Sequence, residues 1–381
     1  MKRVLFHIDV NSAFLSWSAV KLLGEGKPDL RLVPSVVSGD PSDRRSIITA
    51  ASIPAKKLGI KTAQPVSMAL RICPTLEIVR GDWDWYKNCS ARFTAICREY
   101  SPVLQRFSID ECFIDMSARL GRRDPVAVAT ELKDRIRDEL GFTVNVGIGP
   151  NKLLAKMASD FEKPDKVHTL WQEEIETKMW PLGVRELLWV GKRTEERLLA
   201  YGIKTIGDLA LINPAALSRL VGPRAAQQLH DTANGRDDSP VETDSREAKS
   251  YSAERTFAKD ITTAQELDRA LFNVACIVAH RIRRDNFRAT CVSVFIKHSD
   301  FSVVQRQAQM ARPTDVTAVI LNEARSLVST LWDGVTPLRQ VGLGVSKLTH
   351  ETDEQLSLFE DPRLEYYRQW DREYDEKAKK R

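Results

Sequence analysis

Residues 107–115 read FSIDECFID, and the two adjacent acids inside this apolar run decide how the chain folds. Asp110 and Glu111 lie between the triplets FSI and CFI, which otherwise have the composition of an ordinary strand. Side chains alternate faces along a strand, so one continuous strand would turn one of the acids toward the core. A buried carboxylate without a compensating charge is expensive. A hairpin resolves the conflict, because two short strands with the acidic pair at their turn carry both carboxylates toward a neighbouring strand. Asp9, inside the apolar stretch VLFHIDV (4–10), is the candidate third acid. Carboxylates converging on ions about 3.5–4 Å apart make a two-metal site, and Mg²⁺ prefers such oxygen ligands, completed by substrate phosphates and water. A plainer alternative fits the same spacing: Asp110 starts a turn and Asp9 ends a strand.

Outward from the hairpin, helices alternate with strands. Trp85, Cys89, Phe93 and Ile96 have helical spacing, VAVATELKDRIRDEL (126–140) is amphipathic, FTVNVGIG (142–149) is a strand, and NKLLAKMASDF (151–161) is helical again. This alternation indicates an α/β or α+β first domain up to about residue 170. From 171 to about 235 the pattern is helical, with breaks at Gly191, Gly202 and Gly222; the polar stretch NGRDDSPVETDSREAKS (234–250) then reads as a linker. Beyond it the order strand, helix, two strands, helix, strand matches a ferredoxin-like βαββαβ unit. The tail from about 350 is charged, with Leu364, Tyr367, Trp370 and Tyr374 at the spacing of a short amphipathic helix.

The bulk properties agree with a globular protein of several domains: 381 residues, 43% hydrophobic and 29% charged. No apolar run approaches the roughly 20 residues of a membrane span, and the aspartate within the first apolar stretch argues against a signal peptide. Six cysteines without a CxxC pair argue against zinc and against a disulfide framework, and point to reduced thiols in the cytoplasm. Net charge is a mild +5, but basic residues cluster at Lys152, Lys156 and Lys163 and again at Arg281, Arg283, Arg284 and Arg288. Each cluster reads equally as a solvated helix face or as a phosphate-binding stripe.

Six stretches taken together resemble the Y family of translesion DNA polymerases: FHIDVNSAF, FSIDECFID, VNVGIGPNKLLAKMASDFEKPD, LLWVGKRTEERLLAYGIKTIGDL, KSYSAERTF and QLSLF. They occur in the family's order and span nearly the whole chain. The resemblance implies an α+β multidomain right-hand polymerase, with a palm (1–12 and 80–170), small fingers (13–79) and a helical thumb (171–236). A linker (237–248), a ferredoxin-like little finger (249–350) and a tail (351–381) follow. It further implies a DNA-directed DNA polymerase that adds deoxynucleotides to a primer 3′-hydroxyl on damaged templates, with low fidelity. Primer-template DNA, dNTP and two Mg²⁺ ions would be its ligands, and it would act as a cytoplasmic monomer without membrane contact.

By that resemblance Asp9 and Asp110 bridge the two Mg²⁺ ions, Glu111 holds the ion near the primer terminus, and the Val10 carbonyl completes the triphosphate-side ion. Phe14 takes the place of the steric gate against a ribose 2′-hydroxyl, and Lys163 that of the lysine on the incoming triphosphate. Where many members place Thr, Tyr and Arg on the triphosphate, this chain has Ala50, Ile53 and Lys56, so two donors are lost and a point charge replaces a bidentate fork. DNA contacts are expected at Lys152 and Lys156, at Gly191, Lys192 and Thr194 of a helix-hairpin-helix-like turn, and at Arg283 and Arg284. In that turn Trp189 replaces the first glycine of the usual pair. QLSLF, Gln355, Leu356, Ser357, Leu358 and Phe359, resembles the pentapeptide that docks bacterial polymerases on the sliding clamp. The competing expectation is a non-catalytic DNA- and clamp-binding protein on the same scaffold, motivated by Ala50 and Ile53.

Overall fold

The computed structural model describes residues 3–379 apart from 41, 44, 244–246 and 351–362, and the chain divides into two units, Met1–Ser245 and Arg246–Arg381. QLSLF lies outside the described residues. Among the described residues no helix is long and apolar enough to cross a membrane, and all six cysteines are buried and free.

The first unit opens with β1 (Leu5–Val10) and α1 (Ala13–Gly24). A small three-stranded sheet follows, made of β2 (Ser35–Ser38), β3 (Ala50–Ala51) and β4 (Glu77–Arg80), with α2 (Ile53–Lys57) and α3 (Val66–Ile72) between the last two. It has its own core, including Val36, Ile48, Ala55, Ile60 and Val66. Next come α4 (Trp83–Tyr100), β5 (Leu104–Arg106), β6 (Glu111–Asp115), α5 (Pro125–Leu140), β7 (Val144–Gly149), α6 (Lys152–Asp160) and β8 (Val167–Thr169). The main sheet runs β5-β6-β1-β7-β8, with β1 central and antiparallel to both β6 and β7.

Period-two alternation gives this sheet two different faces. Val144, Val146 and Ile148 of β7 join Phe6, Ile8 and Ile114 in a core shared with Phe93 and Ile96 of α4 and Leu132 and Ile136 of α5. Leu15, Trp17 and Ala19 of α1 belong to the same core. The opposite face of β7 carries Asn145, Gly147 and Gly149, and α6 lies directly on its backbone. A Cβ at Gly147 would stand 2.0 Å from the Ala155 carbonyl oxygen and 2.3 Å from the Ser159 nitrogen, so only glycine admits the helix.

The hairpin forms, but with its first strand displaced three residues toward the N-terminus, Arg106 and not Ile109 pairing with Cys112. Its first strand is Leu104–Arg106, and FSI makes the turn instead of a strand. Phe107 and Ser108 both donate their N–H to the Glu111 carbonyl, at 3.0 and 3.2 Å. The Ser108 hydroxyl closes the turn on Asp110, donating to Oδ1 at 2.5 Å. A short polar side chain that bonds two residues ahead competes with strand pairing, which explains the shift.

The rest of this unit is helical: α7 (Lys192–Ala200), α8 (Ile206–Leu211), α9 (Pro214–Val221) and α10 (Pro223–Ala233). Their core contains Leu187, Val190, Leu198, Leu209 and Leu229 together with Leu154 and Met157 of α6, so α6 is packed on both sides. The break before α10 is Gly222, at φ +88°.

In the second unit β9 (Ser250–Ile261), α11 (Ala264–Arg284), β10 (Arg288–His298), β11 (Val303–Thr314), α12 (Thr317–Ser329) and β12 (Leu338–Thr349) follow the expected βαββαβ order. The sheet is antiparallel, β11-β10-β12-β9, with the last strand inserted beside the first. The aromatic repeat in the tail forms α13 (Leu364–Lys379), docked on this same unit. Trp370 meets Phe272 of α11 with ring centroids 5.7 Å apart. Arg283, expected on DNA, is committed to this contact: its guanidinium lies 3.1 Å from Asp371 and 2.7 Å from Asp375, with the side chain only 13% exposed. A buried guanidinium held by two carboxylates has no fork to offer a phosphate. Arg284 is exposed and pairs with Asp285.

Candidate active site

The β1–β6 ladder brings the three acids together. Asp9 and Glu111 are direct cross-strand partners, and the Val10 N–H donates to the Asp110 carbonyl at 3.0 Å. Cross-strand partners share a face, so Asp9 and Glu111 project from the same side of the sheet. The Asp110 carboxyl is pushed above its ordinary range, first by burial and then by the charges of Asp9 and Glu111, against the Ser108 hydrogen bond. Burial also works against ionised Glu111. There, however, hydrogen bonds from His7 and Lys156 prevail and hold the carboxyl down at about 2.

Lysines occupy the spaces between these acids. Lys156 Nζ lies 2.6 Å from Glu111 Oε2. Lys163 Nζ lies 2.8 Å from Asp9 Oδ2 and equally close to Asp160 Oδ1. Burial disfavours charged Lys163, but Asp9 and Asp160 outweigh it and raise its pKa. Among the described residues no three His, Cys, Asp or Glu side chains already form a metal cage.

His7 was not anticipated as a site residue. It lies two residues before Asp9 on the same face, is fully buried, and places Nε2 3.0 Å from Glu111 Oε2 and Nδ1 2.8 Å from Ser159 Oγ. Burial lowers its pKa. The Glu111 carboxylate can only accept, so Nε2 donates in this pair, while the Ser159 hydroxyl beside Nδ1 itself donates to the Lys156 carbonyl at 2.7 Å. The signal was present in the two-residue spacing of His7 and Asp9, but α6 had to be seated on Gly147 before the pair acquired a lid. Lys152, one turn earlier on α6, reaches Gln105 at 3.2 Å and lies over the Phe113 ring.

Phe14 stands at the start of α1, half-buried among rings: Tyr86 at 5.0 Å, Trp17 at 5.9 Å and Trp83 at 6.1 Å between centroids. Rings on three sides fix its orientation. Lys56 donates to the Ser12 hydroxyl at 3.0 Å, and its pKa is lowered by burial and by the nearby charge of Lys163. Beside it Ala50 is buried, whereas Ile53 presents an exposed apolar side chain. In the helical part Gly191 caps α7, and Lys192 and Thr194 lie in its first turn, with the Lys192 side chain 81% exposed. Trp189 has a left-handed backbone, at φ +75°.

Comparison with known proteins gives the same picture along the chain. Residues 8–160 match the impB/mucB/samB family, residues 248–358 match that family's C-terminal domain, and residues 186–237 match a thumb domain described for DNA polymerase-iota. DNA polymerase IV of Clostridium acetobutylicum is 38% identical over 362 residues, covering 95% of this chain and 91% of that one. DNA polymerase IV 1 of Bacillus subtilis is 34% identical over 360 residues, covering 94% and 85%. A solved Y-family DNA polymerase chimera shares the fold at 20% identity, with a TM-score of 0.79 over 91% of this chain and 100% of that one. On the strength of matches that span nearly all of both chains, this protein belongs to the impB/mucB/samB family of Y-family DNA polymerases.

Proposed function

We propose that the chain is a translesion DNA polymerase that extends a primer 3′-hydroxyl with deoxynucleotides at the Asp9, Asp110 and Glu111 site, using two Mg²⁺ ions and with low fidelity. The observation that carries this reading is the ladder itself, which places Asp9 opposite Glu111 and ties Val10 to Asp110. Palm, fingers, thumb, linker and little finger follow the boundaries given above, and the protein acts as a cytoplasmic monomer.

The donor set fits a hard divalent ion. Three carboxylates and the Val10 carbonyl are all oxygen donors, and burial, with the charges of Asp9 and Glu111 added, disfavours ionised Asp110 until a cation compensates it. When bound, the ions would lower the pKa of the primer hydroxyl and take up charge on the departing pyrophosphate. The protein's own residues do the rest. His7 orients Glu111, and Lys163 and Lys56 face the triphosphate as point charges. Phe14, immobilised by its ring neighbours, excludes a 2′-hydroxyl by contact. One bond forms, from the 3′-oxygen to the α-phosphorus, and the bond from that phosphorus to the β-phosphate oxygen breaks.

Primer extension with Mg²⁺ and the four dNTPs tests the proposal. The intact chain should extend the primer, and Asp110→Ala should lower the rate by about 10²–10³-fold or more. An intact chain that adds no nucleotide would overturn the enzyme reading and leave the second, a DNA- and clamp-binding protein. Exposed Ile53, where a hydrogen-bond donor would grip the triphosphate, favours that second reading. Residues 355–359 are proposed as the sliding-clamp motif. Replacing Leu358 and Phe359 by Ala should abolish clamp binding, and retained binding would remove the motif.

A further inference from the structure

Trp189 combines a strained backbone with an exposed ring. It lies in the turn before α7 at φ +75°, which a bulky side chain rarely adopts. Its flanks impose this conformation: Leu187 and Val190 are 2% and 6% exposed, within the helical core. The Val190 N–H donates to the Leu187 carbonyl at 3.1 Å, and Arg185 donates to the Val190 carbonyl at 2.6 Å. With both neighbours pinned inward, the indole projects outward, 63% exposed. Glycine would remove the strain and the exposed apolar surface together, so local stability does not explain the tryptophan.

Its surroundings explain it better. Trp189 lines a cavity of about 300 Å³ together with Phe107, Phe113, Lys152 and Lys156. Lys156 is the residue bonded to Glu111, so this cavity adjoins the carboxylates. On its other side the indole borders a cleft of about 640 Å³ along α7, with Arg193 and Arg197. The acids in the first cavity are already engaged, Asp231 with Arg236 at 3.3 Å and Asp237 with the Leu153 N–H at 3.1 Å. An aromatic ring bordering two clefts with cations suits a nucleic-acid strand: in a duplex, where the bases are paired and stacked, the ring meets a sugar and the cations the phosphates. An apolar protein partner would meet four cations around a single ring.

We propose that Trp189 is a positioning residue for the primer strand, packing against a nucleotide upstream of the 3′ end while Lys152, Arg193 and Arg197 meet its phosphates. The inference rests on the polymerase reading for the identity of the strand. The test compares Trp189→Gly, which relaxes the turn and so does not threaten folding, with Trp189→Phe, which keeps an aromatic ring. Affinity for a labelled primer-template duplex is measured on the full chain without nucleotide. Trp189→Gly should weaken binding about tenfold and Trp189→Phe only slightly. In extension assays the loss should fall on KM for primer-template and not on KM for dNTP. Undiminished DNA affinity in Trp189→Gly overturns the proposal, as does a defect confined to a protein partner. A chain that binds duplex through Trp189 yet extends no primer would sink the polymerase reading while supporting this contact.

Discussion

The Lys156 ammonium stands 2.6 Å from Oε2 of Glu111, and the His7 ring reaches the same oxygen at 3.0 Å. Lys163 holds Asp9 in the same way. The three acids therefore sit on a rigid sheet with their charge partly balanced by lysines, and a divalent ion entering the site competes with those lysines for the carboxylates.

That competition is measurable. Lys156→Gln removes a positive charge 2.6 Å from Glu111 Oε2 and leaves that oxygen to His7 alone. Coulomb repulsion at this range amounts to a few kcal/mol at most, screened by nearby water. The Mg²⁺ concentration giving half-maximal primer extension should fall by about 3- to 10-fold. An unchanged or higher requirement would mean that the lysine does not compete.

The same pair sets a pH dependence. The Glu111 carboxyl is depressed from 4.5 to about 2, so its stabilising contribution is fully present above about pH 4.5 and is lost as pH falls toward 2. The depression corresponds to something on the order of 3 kcal/mol. Asp110, with its raised pKa, has the opposite slope but is present in both proteins compared. In chelator, wild type should melt above Glu111→Gln at pH 6, and the gap should narrow between pH 4.5 and 3. A gap independent of pH would show that Glu111 is not depressed.

Phe14 tests the fit of the sugar. Tyr86, Trp17 and Trp83 pack against the ring, and these contacts oppose its swinging aside to admit a hydroxyl. Phe14→Ala should raise ribonucleotide incorporation relative to deoxynucleotide by roughly 10- to 100-fold. Equal selectivity in both proteins would remove Phe14 as the gate.

Gly147 tests how the site is assembled. A methyl group there meets the backbone of α6, at Ala155 and Ser159, which cannot yield as a flexible side chain would. Gly147→Ala should destabilise the fold by about 3 kcal/mol and weaken the His7–Ser159 contact. A thermal midpoint within a degree of wild type would contradict the close approach.

These residues also show what the chain discloses before it is folded. The hairpin, Asp9 as its partner and the βαββαβ order follow from local periodicity and from the cost of a buried acid. The slip of FSI into the turn does not, because it depends on the Ser108–Asp110 bond, which is as compatible with a strand sequence as with a turn. Lys156 is a tertiary fact: it meets Glu111 because two glycines of β7 let α6 lie on the sheet, whereas His7 reaches Glu111 across the β1–β6 ladder. Arg283 is legible as a basic helix residue, but its partners come from α13, nearly 90 positions later.

That last cluster carries a prediction of its own. Asp371, 2% exposed, accepts from the Thr317 N–H at 3.0 Å and from its hydroxyl at 2.5 Å. It thus caps α12, whose own Val316 has no side chain able to do so. It also lies 3.1 Å from Arg283, which Asp375 grips at 2.7 and 2.8 Å while accepting from His280 at 2.8 Å. Asp371→Ala leaves a helix start uncapped and part of a buried guanidinium unpaired, at a cost of about 3 kcal/mol. Because α13 is joined to its unit mainly through this face, the loss should appear there first, as faster hydrogen exchange across residues 364–379 with β10 and β12 still protected. Asp371→Asn, which can still accept from Thr317 but carries no charge, should fall between the two. If exchange in α13 matched wild type in Asp371→Ala, the Asp375 pairs with Arg283 and His280 and the Trp370–Phe272 contact would suffice to hold the helix.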